Sequence, residues 1–219
     1  MSLPHWHRPH LGEYRWPVSA VVLTVITIQF LIPTQYSFEL KKTAAIVQFI
    51  LLLALISSNP IRISKHQLST RYLGIAVTST MTILNSISVV KLIDALIFGH
   101  IKSAPELLAI GGSIWFCNIV IFSLWYWDLD RGGPGARAEA KKEFPDFLFP
   151  QMSDPKYAPE HWTPHFFDYL YTSFTNASAF SPTDAMPLTR WAKALMFLQS
   201  LTSLVVVGLV IARAVNILV

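Results

Sequence analysis

The stretch Phe174 to Pro187, FTNASAFSPTDAMP, sets hydroxyl, amide and carboxylate oxygens close together between two apolar segments. Asn176, Ser178, Ser181, Thr183 and Asp184 can present side-chain oxygens to an inorganic ion, as oxygen-lined constrictions do when they replace its hydration shell. Two other groups have the residue types for metal chemistry. His5, His7 and His10 stand near tryptophans in the first 16 residues, where a metal site and a terminal arm at the membrane interface both fit. Glu160, His161, His165 and Asp168 gather around the start of HFFDYLYTS, and two histidines four apart can offer two ligands from one helix. The order there is E-H-x-x-x-H, so the H-E-x-x-H pattern of metalloproteases is absent and interfacial histidines are the plainer account. No serine-histidine-aspartate arrangement, phosphate loop or dinucleotide fingerprint stands out. We expect no enzyme and no cofactor.

The elements that must hold these residues are apolar. Of 219 residues, 53% are hydrophobic and 14% charged, against about 25% charged in soluble domains. Crossing the hydrocarbon core takes roughly 20 apolar residues. Five runs qualify as crossings: Pro17 to Pro33, Thr43 to Ser58, Tyr72 to Phe98, Leu107 to Trp127, and Trp191 to Val215. The second is short and draws on Phe38 to Lys42. The expected fold is an all-α membrane protein with about five transmembrane helices and a short re-entrant helix and loop before the last. Residues 1–16 form an interfacial arm, 17–105 three transmembrane helices, and 106–219 a module of outer helix 107–127, polar loop 128–163, short helix 164–178, loop 179–187 and inner helix 189–217. Cys117 is alone in an apolar run and has no intrachain disulfide partner. The net charge of +4 lies mostly in loops, too dispersed for nucleic acid, so the lipid bilayer is the expected partner.

Within this frame, Thr163 and Pro164 make a good helix start, since threonine accepts from a free first-turn amide and proline wastes no donor. A helix from Pro164 to about Ser178 is ~22 Å long, too short to cross. Phe166, Phe167, Leu170, Tyr171 and Phe174 give it an apolar face. On the last helix Ser203 and Arg213 project within about 40° of Gln199. Together with Thr202, Val206 and Val210 these residues either line a pathway or pack against protein. Lys91 and Asp94 are three apart and able to pair on one helix face. RGGPGARAEAKK, 131–142, is of low complexity, and DFLFPQMS reads as an extended piece on the surface or against a neighbouring chain.

The order crossing, short helix, polar loop, crossing resembles the pore module of tetrameric cation channels. Their pattern D-x-L-Y-x-S-F-T-T-x-T-T-V-G-Y-G-D-x-x-P lies over Asp168 to Pro187 without a gap. Asp168, Leu170, Tyr171, Ser173, Phe174 and Thr175 match the pore helix; Asp184 and Pro187 match positions past the filter. Where potassium channels have T-V-G-Y-G, this chain has Ala179, Phe180, Ser181, Pro182 and Thr183. Both glycines are gone, a left-handed residue in their place costs roughly 1–2 kcal/mol, and Pro182 pushes Ser181 toward extended geometry. A potassium-type carbonyl ladder is not expected. The chain is also similar, over residues 125–217, to a group of small bacterial membrane proteins, in WYWDLDRGGP, DFLFPQMS, FSPTDAMPLTRWAK and ARAVNIL.

The resemblances imply a homotetrameric pore in the bacterial inner membrane, lined by Thr175, Asn176, Ser178 to Asp184 and by the last helix, through which inorganic ions pass. The alternative is a non-conducting scaffold with Phe180 and Pro182 plugging the axis. Orientation divides the two lines of reasoning. The channel family places the C-terminus inside. The arm, the Asn59 to Arg71 loop and the long loop hold Arg8, Arg15, Arg62, Lys65, Arg71, Arg131, Arg137, Lys141, Lys142 and Lys156, against Lys41, Lys42, Lys102 and Arg213 opposite. By the positive-inside rule the N-terminal side is cytoplasmic.

Overall fold

The computed structural model describes residues 5–98, 101, 103–154, 156, 158–159, 161–178 and 184–218. Local chemistry sets the helix ends. Helix α1 (Trp16–Leu31) has Pro17 in its first turn, where the missing amide costs nothing, and stops ahead of Pro33. Helices α2 (Lys41–Ser58) and α3 (Leu68–Ile97) follow. Helix α4 (Ala104–Leu129) carries Pro105 in its first turn, and the Ser103 hydroxyl accepts from the Glu106 amide at 3.4 Å. After two short helices, α5 (Pro134–Ala138) and α6 (Pro150–Ser153), come α7 (Phe166–Ser178) and α8 (Arg190–Leu218). Extended structure among the described residues is limited to two antiparallel pairs: β1 (Glu13–Tyr14) with β2 (Arg62–Ile63), and β3 (Phe147–Leu148) with β4 (Met186–Pro187).

The protein is an all-α, multi-pass membrane protein. Four helices, α2, α3, α4 and α8, are long and apolar enough to cross. At 16 residues α1 is the shortest of the five expected crossings, about 24 Å. Helix α2 begins at Lys41 and so gains the residues its apolar run lacked.

The two ends of the bundle differ. One gathers the N-terminal arm, the α2–α3 turn, the C-terminal end of α4, the long loop and the start of α7. Its backbone is stitched by Arg15 N–H to Ile61 C=O (3.1 Å), His10 N–H to Ala138 C=O (3.0 Å) and both strand pairs. Gly12 is in the left-handed region (φ 80°), and a Cβ there would sit 2.3 Å from the Ile63 carbonyl oxygen, so only glycine fits. The opposite end is a plain apolar cluster including Ile32, Leu92, Ile101, Leu107, Ile114 and Val210. The expected Lys91–Asp94 ion pair is not among those formed by the described residues. Lys91 instead donates to the Ser37 and Thr34 carbonyls at 2.8 and 3.5 Å, closing the turn between α1 and α2.

Helix α4 is the central post, with 67% of its apolar window buried against 17% in α2. Gly111 lets α8 approach closely: a Cβ there would lie 2.6 Å from a Val210 methyl. The segment of low complexity is packed rather than loose, and Arg131 to Ala138 is buried throughout. DFLFPQMS folds onto its own chain, with Phe147 fully buried among Tyr126, Trp191 and Tyr169.

Candidate functional site

The short helix begins two residues later than its sequence suggests, because carboxylates take the role expected of Thr163. The Glu13 carboxylate, brought in by the arm, accepts from the Phe166 amide at 3.0 Å, and Asp168 accepts from the His165 amide at 2.8 Å. Both anions sit at the positive end of the helix dipole.

From there α7 descends along α4. The Tyr169 hydroxyl donates to Asp130 at the C-terminal end of α4 (2.6 Å), the Ser173 hydroxyl donates to the Ile119 carbonyl (2.6 Å), and the Phe174 ring meets Trp115 edge-on near the middle of α4. The chain then regains the end from which it entered: Met186–Pro187 pairs with Phe147–Leu148, and the Leu188 amide donates to the Asp146 carbonyl at 2.8 Å. Helix α8 sets out from that same end and runs the full length of α4, past Tyr126, Asn118 and Gly111 to Ile101. So α7 is a half-depth helix, entered and left from one side.

A neutral polar clamp fixes it there. Gln199 uses all four hydrogen-bonding positions of its amide. Its nitrogen donates to the Ser173 carbonyl (2.9 Å) and hydroxyl (2.7 Å), while its oxygen accepts from the Tyr126 hydroxyl and from Asn176 Nδ2 (2.8 Å). Asn176 also donates to the Met196 carbonyl and accepts from Ser200, and Asn118 donates to Ser203 at 3.0 Å.

These contacts account for several of the residues singled out in the sequence. Gln199 and Ser203 are 0% and 1% exposed, turned onto α4 and α7. Val206 and Val210 are buried in the α4 contact, and Arg213 donates to the Ile101 carbonyl at 3.4 Å. Through these contacts the stripe packs α8 against its neighbouring helices. Thr202 is half-buried and bonds its own helix at Leu198. Thr175 and Ser178 likewise donate back into α7, and Asn176 ties the helix to α8. Asp184 is exposed. Ala179, Phe180, Ser181, Pro182 and Thr183 lie outside the described residues. The aromatic face divides: Phe166 is buried, while Phe167, Tyr171 and Phe174 point outward at 74%, 45% and 48% exposure.

Sequence reasoning missed a second, charged cluster above the clamp. Asp130 accepts from the Asp146 and Phe147 amides (2.9 and 3.3 Å) as well as from Tyr169. Asp146 accepts from the Arg131 amide and the Trp191 indole (2.8 and 2.9 Å). Arg137 pairs with Glu13 at 2.8 Å and donates to the Trp127 and Asp130 carbonyls. Burial alone would pull the Arg137 guanidinium down, but Tyr169, Glu13 and Asp130 outweigh it and hold its pKa above the ordinary value. The chain makes this turn with positive φ at Arg131, Gly132 and Gly133; at Gly133 a Cβ would meet the Asp128 carbonyl oxygen at 2.9 Å. The available signal was WYWDLDRGGPGAR itself, with four charged side chains at the mouth of an apolar run, where unpaired charge is costly.

Among the described residues no group of three or more histidine, cysteine, aspartate or glutamate side chains is placed to hold a metal ion. His161 is exposed, and the His165 ring bonds the Thr163 carbonyl at 2.7 Å. No protein-family model, curated protein or solved structure matches the chain. The pore-loop likeness therefore rests on the residues and geometry above.

Proposed function

We propose that the protein is a channel-like pore protein of the bacterial inner membrane, a homo-oligomer, most simply a tetramer, passing inorganic ions without potassium-type selectivity. The observation that carries this reading is the half-depth α7, packed between α4 and α8 and entered and left from one side. Irregular backbone at membrane depth is tolerated only where it is buried in protein or lines water. The C-terminal end of α7, with roughly half a negative charge, favours a cation near the filter-position residues. The outward aromatic row Phe167, Tyr171 and Phe174 and the apolar face of α8 are surfaces for neighbouring subunits and lipid. By charge, the end holding the arm and the long loop is cytoplasmic, so the half-depth helix enters from the opposite side to that of potassium channels; a reporter fused to the C-terminus tests this.

Purified protein in liposomes should carry an ion flux that Asp184→Asn alters. Absence of flux under every gradient and voltage would overturn conduction. One observation favours a second reading, a closed or non-conducting scaffold: beyond Lys193 the open face of α8 is formed by the apolar Phe197, Leu201, Leu204, Ile211 and Val215, and an apolar constriction shuts by dewetting. A leak created by Phe180→Ala or Leu204→Ser marks a closed pore; silence in both variants marks a scaffold.

A further inference from the structure

An open cleft with a cavity of about 60 Å³ lies between the start of α1, the start of α3 and the end of α4. Its floor is apolar, formed by Val18, Val22, Val77 and Leu124 one to two turns into the helices. Its rim carries three cations, Arg15, Lys65 and Arg71, against one carboxylate, Asp128. Arg15 and Asp128 are 5% and 7% exposed. Neither forms an ion pair within 4.0 Å among the described residues, and Arg15 Nε and Asp128 Oδ2 have no hydrogen-bond partner. Burial draws the Arg15 guanidinium down, partly opposed by Asp128. Gly74 keeps the wall open beside Asp128, since a Cβ there would lie 3.3 Å from Oδ2.

Elsewhere at this end Glu13 is ion-paired with Arg137, Asp130 with Arg131, and Asp146 accepts from an amide and an indole; Arg15 and Asp128 instead face a cavity. Desolvated charges of this kind are costly unless something answers them. The rim's net formal charge of +2 (three cations less one carboxylate) calls for an anion, and guanidinium groups suit phosphate oxygens. The floor calls for hydrocarbon. We propose that the pocket holds the phosphate headgroup of an anionic membrane lipid, its chain resting on the apolar floor and a headgroup hydroxyl or ammonium donating to Asp128.

The test uses the full chain, purified and stripped of lipid in detergent. Phosphatidylglycerol should raise the thermal midpoint by several degrees and persist as a one-to-one adduct in native mass spectrometry. Phosphatidylcholine and inorganic phosphate should do neither. Arg71→Gln with Lys65→Gln, the two less buried cations, should weaken the phosphatidylglycerol effect tenfold or more. Equal effects of phosphatidylglycerol and phosphatidylcholine overturn the anion assignment, and an equal effect of inorganic phosphate overturns the lipid assignment. Undiminished binding by the double variant overturns the site. Should the double variant not fold, the wild-type comparison of the three ligands decides alone.

Discussion

Two polar clusters hold α7, and they use different chemistry at different depths. At the mouth of the bundle, Glu13, Arg137, Asp130 and Asp146 are ionisable and tied to backbone amides and aromatic donors. Half-way down, Gln199, Asn176, Ser173, Tyr126 and Asn118 are all uncharged. The difference follows from desolvation. An ion deep in hydrocarbon is expensive even when paired, whereas an amide with every position occupied costs little and still fixes direction. The mouth trades on charge because water and loop backbone are near; the interior trades on saturation.

The contrast can be broken by mutation. Arg137→Ala strands Glu13 in a dry site and should cost about 3–5 kcal/mol, read as a large fall in unfolding midpoint in a fixed micelle. Gln199→Leu leaves several partners unanswered yet strands no charge, so about 1–3 kcal/mol is expected. If Gln199→Leu proves the costlier, the interior cluster and not the ionic one anchors α7. The smallest effect concerns the arm. Burial lowers the His10 pKa, opposed by Glu13 and aided by Arg137, His165 and Arg131, and its Nδ1 accepts from the Gly12 amide at 3.1 Å. With a folded value below the ordinary ~6.5, the unfolded chain takes up the proton first. The stabilisation is complete above about 6.5 and is lost as pH falls toward the folded value. Thermal scans across that window should show part of the decline vanish in His10→Gln.

Much of the fold was legible. Apolar runs located α1, α2, α3, α4 and α8 to within a few residues at most ends, and the proline and capping signals brought α7 to within two residues of its start. Periodicity also placed Gln199 and Ser203 on one face. What covers a face is another matter, for a helix's own sequence carries its angles but not its neighbours. The stripe met α4 and α7. Lys91 had a carboxylate at pairing distance in sequence, but backbone carbonyls of an approaching turn were nearer in space. Glu13, alone in an arm of ordinary composition, gave no hint that Arg137 and the Phe166 amide would converge on it, because they are 124 and 153 residues away. Arg15 and Asp128 could not be seen as a pair facing one cavity for the same reason.

That distance has a temporal side. A ribosome releases Glu13 153 residues before the amide of Phe166. By then α1 to α4 have left the exit tunnel. The half-depth helix is therefore finished by a residue translated long before it, on the side of the membrane where the arm was left. A bulky fusion that holds the arm away would leave α7 uncapped, while the same fusion at the C-terminus would not touch this contact. Of the two ends, the leading one is where assembly of the re-entrant element is most easily interrupted.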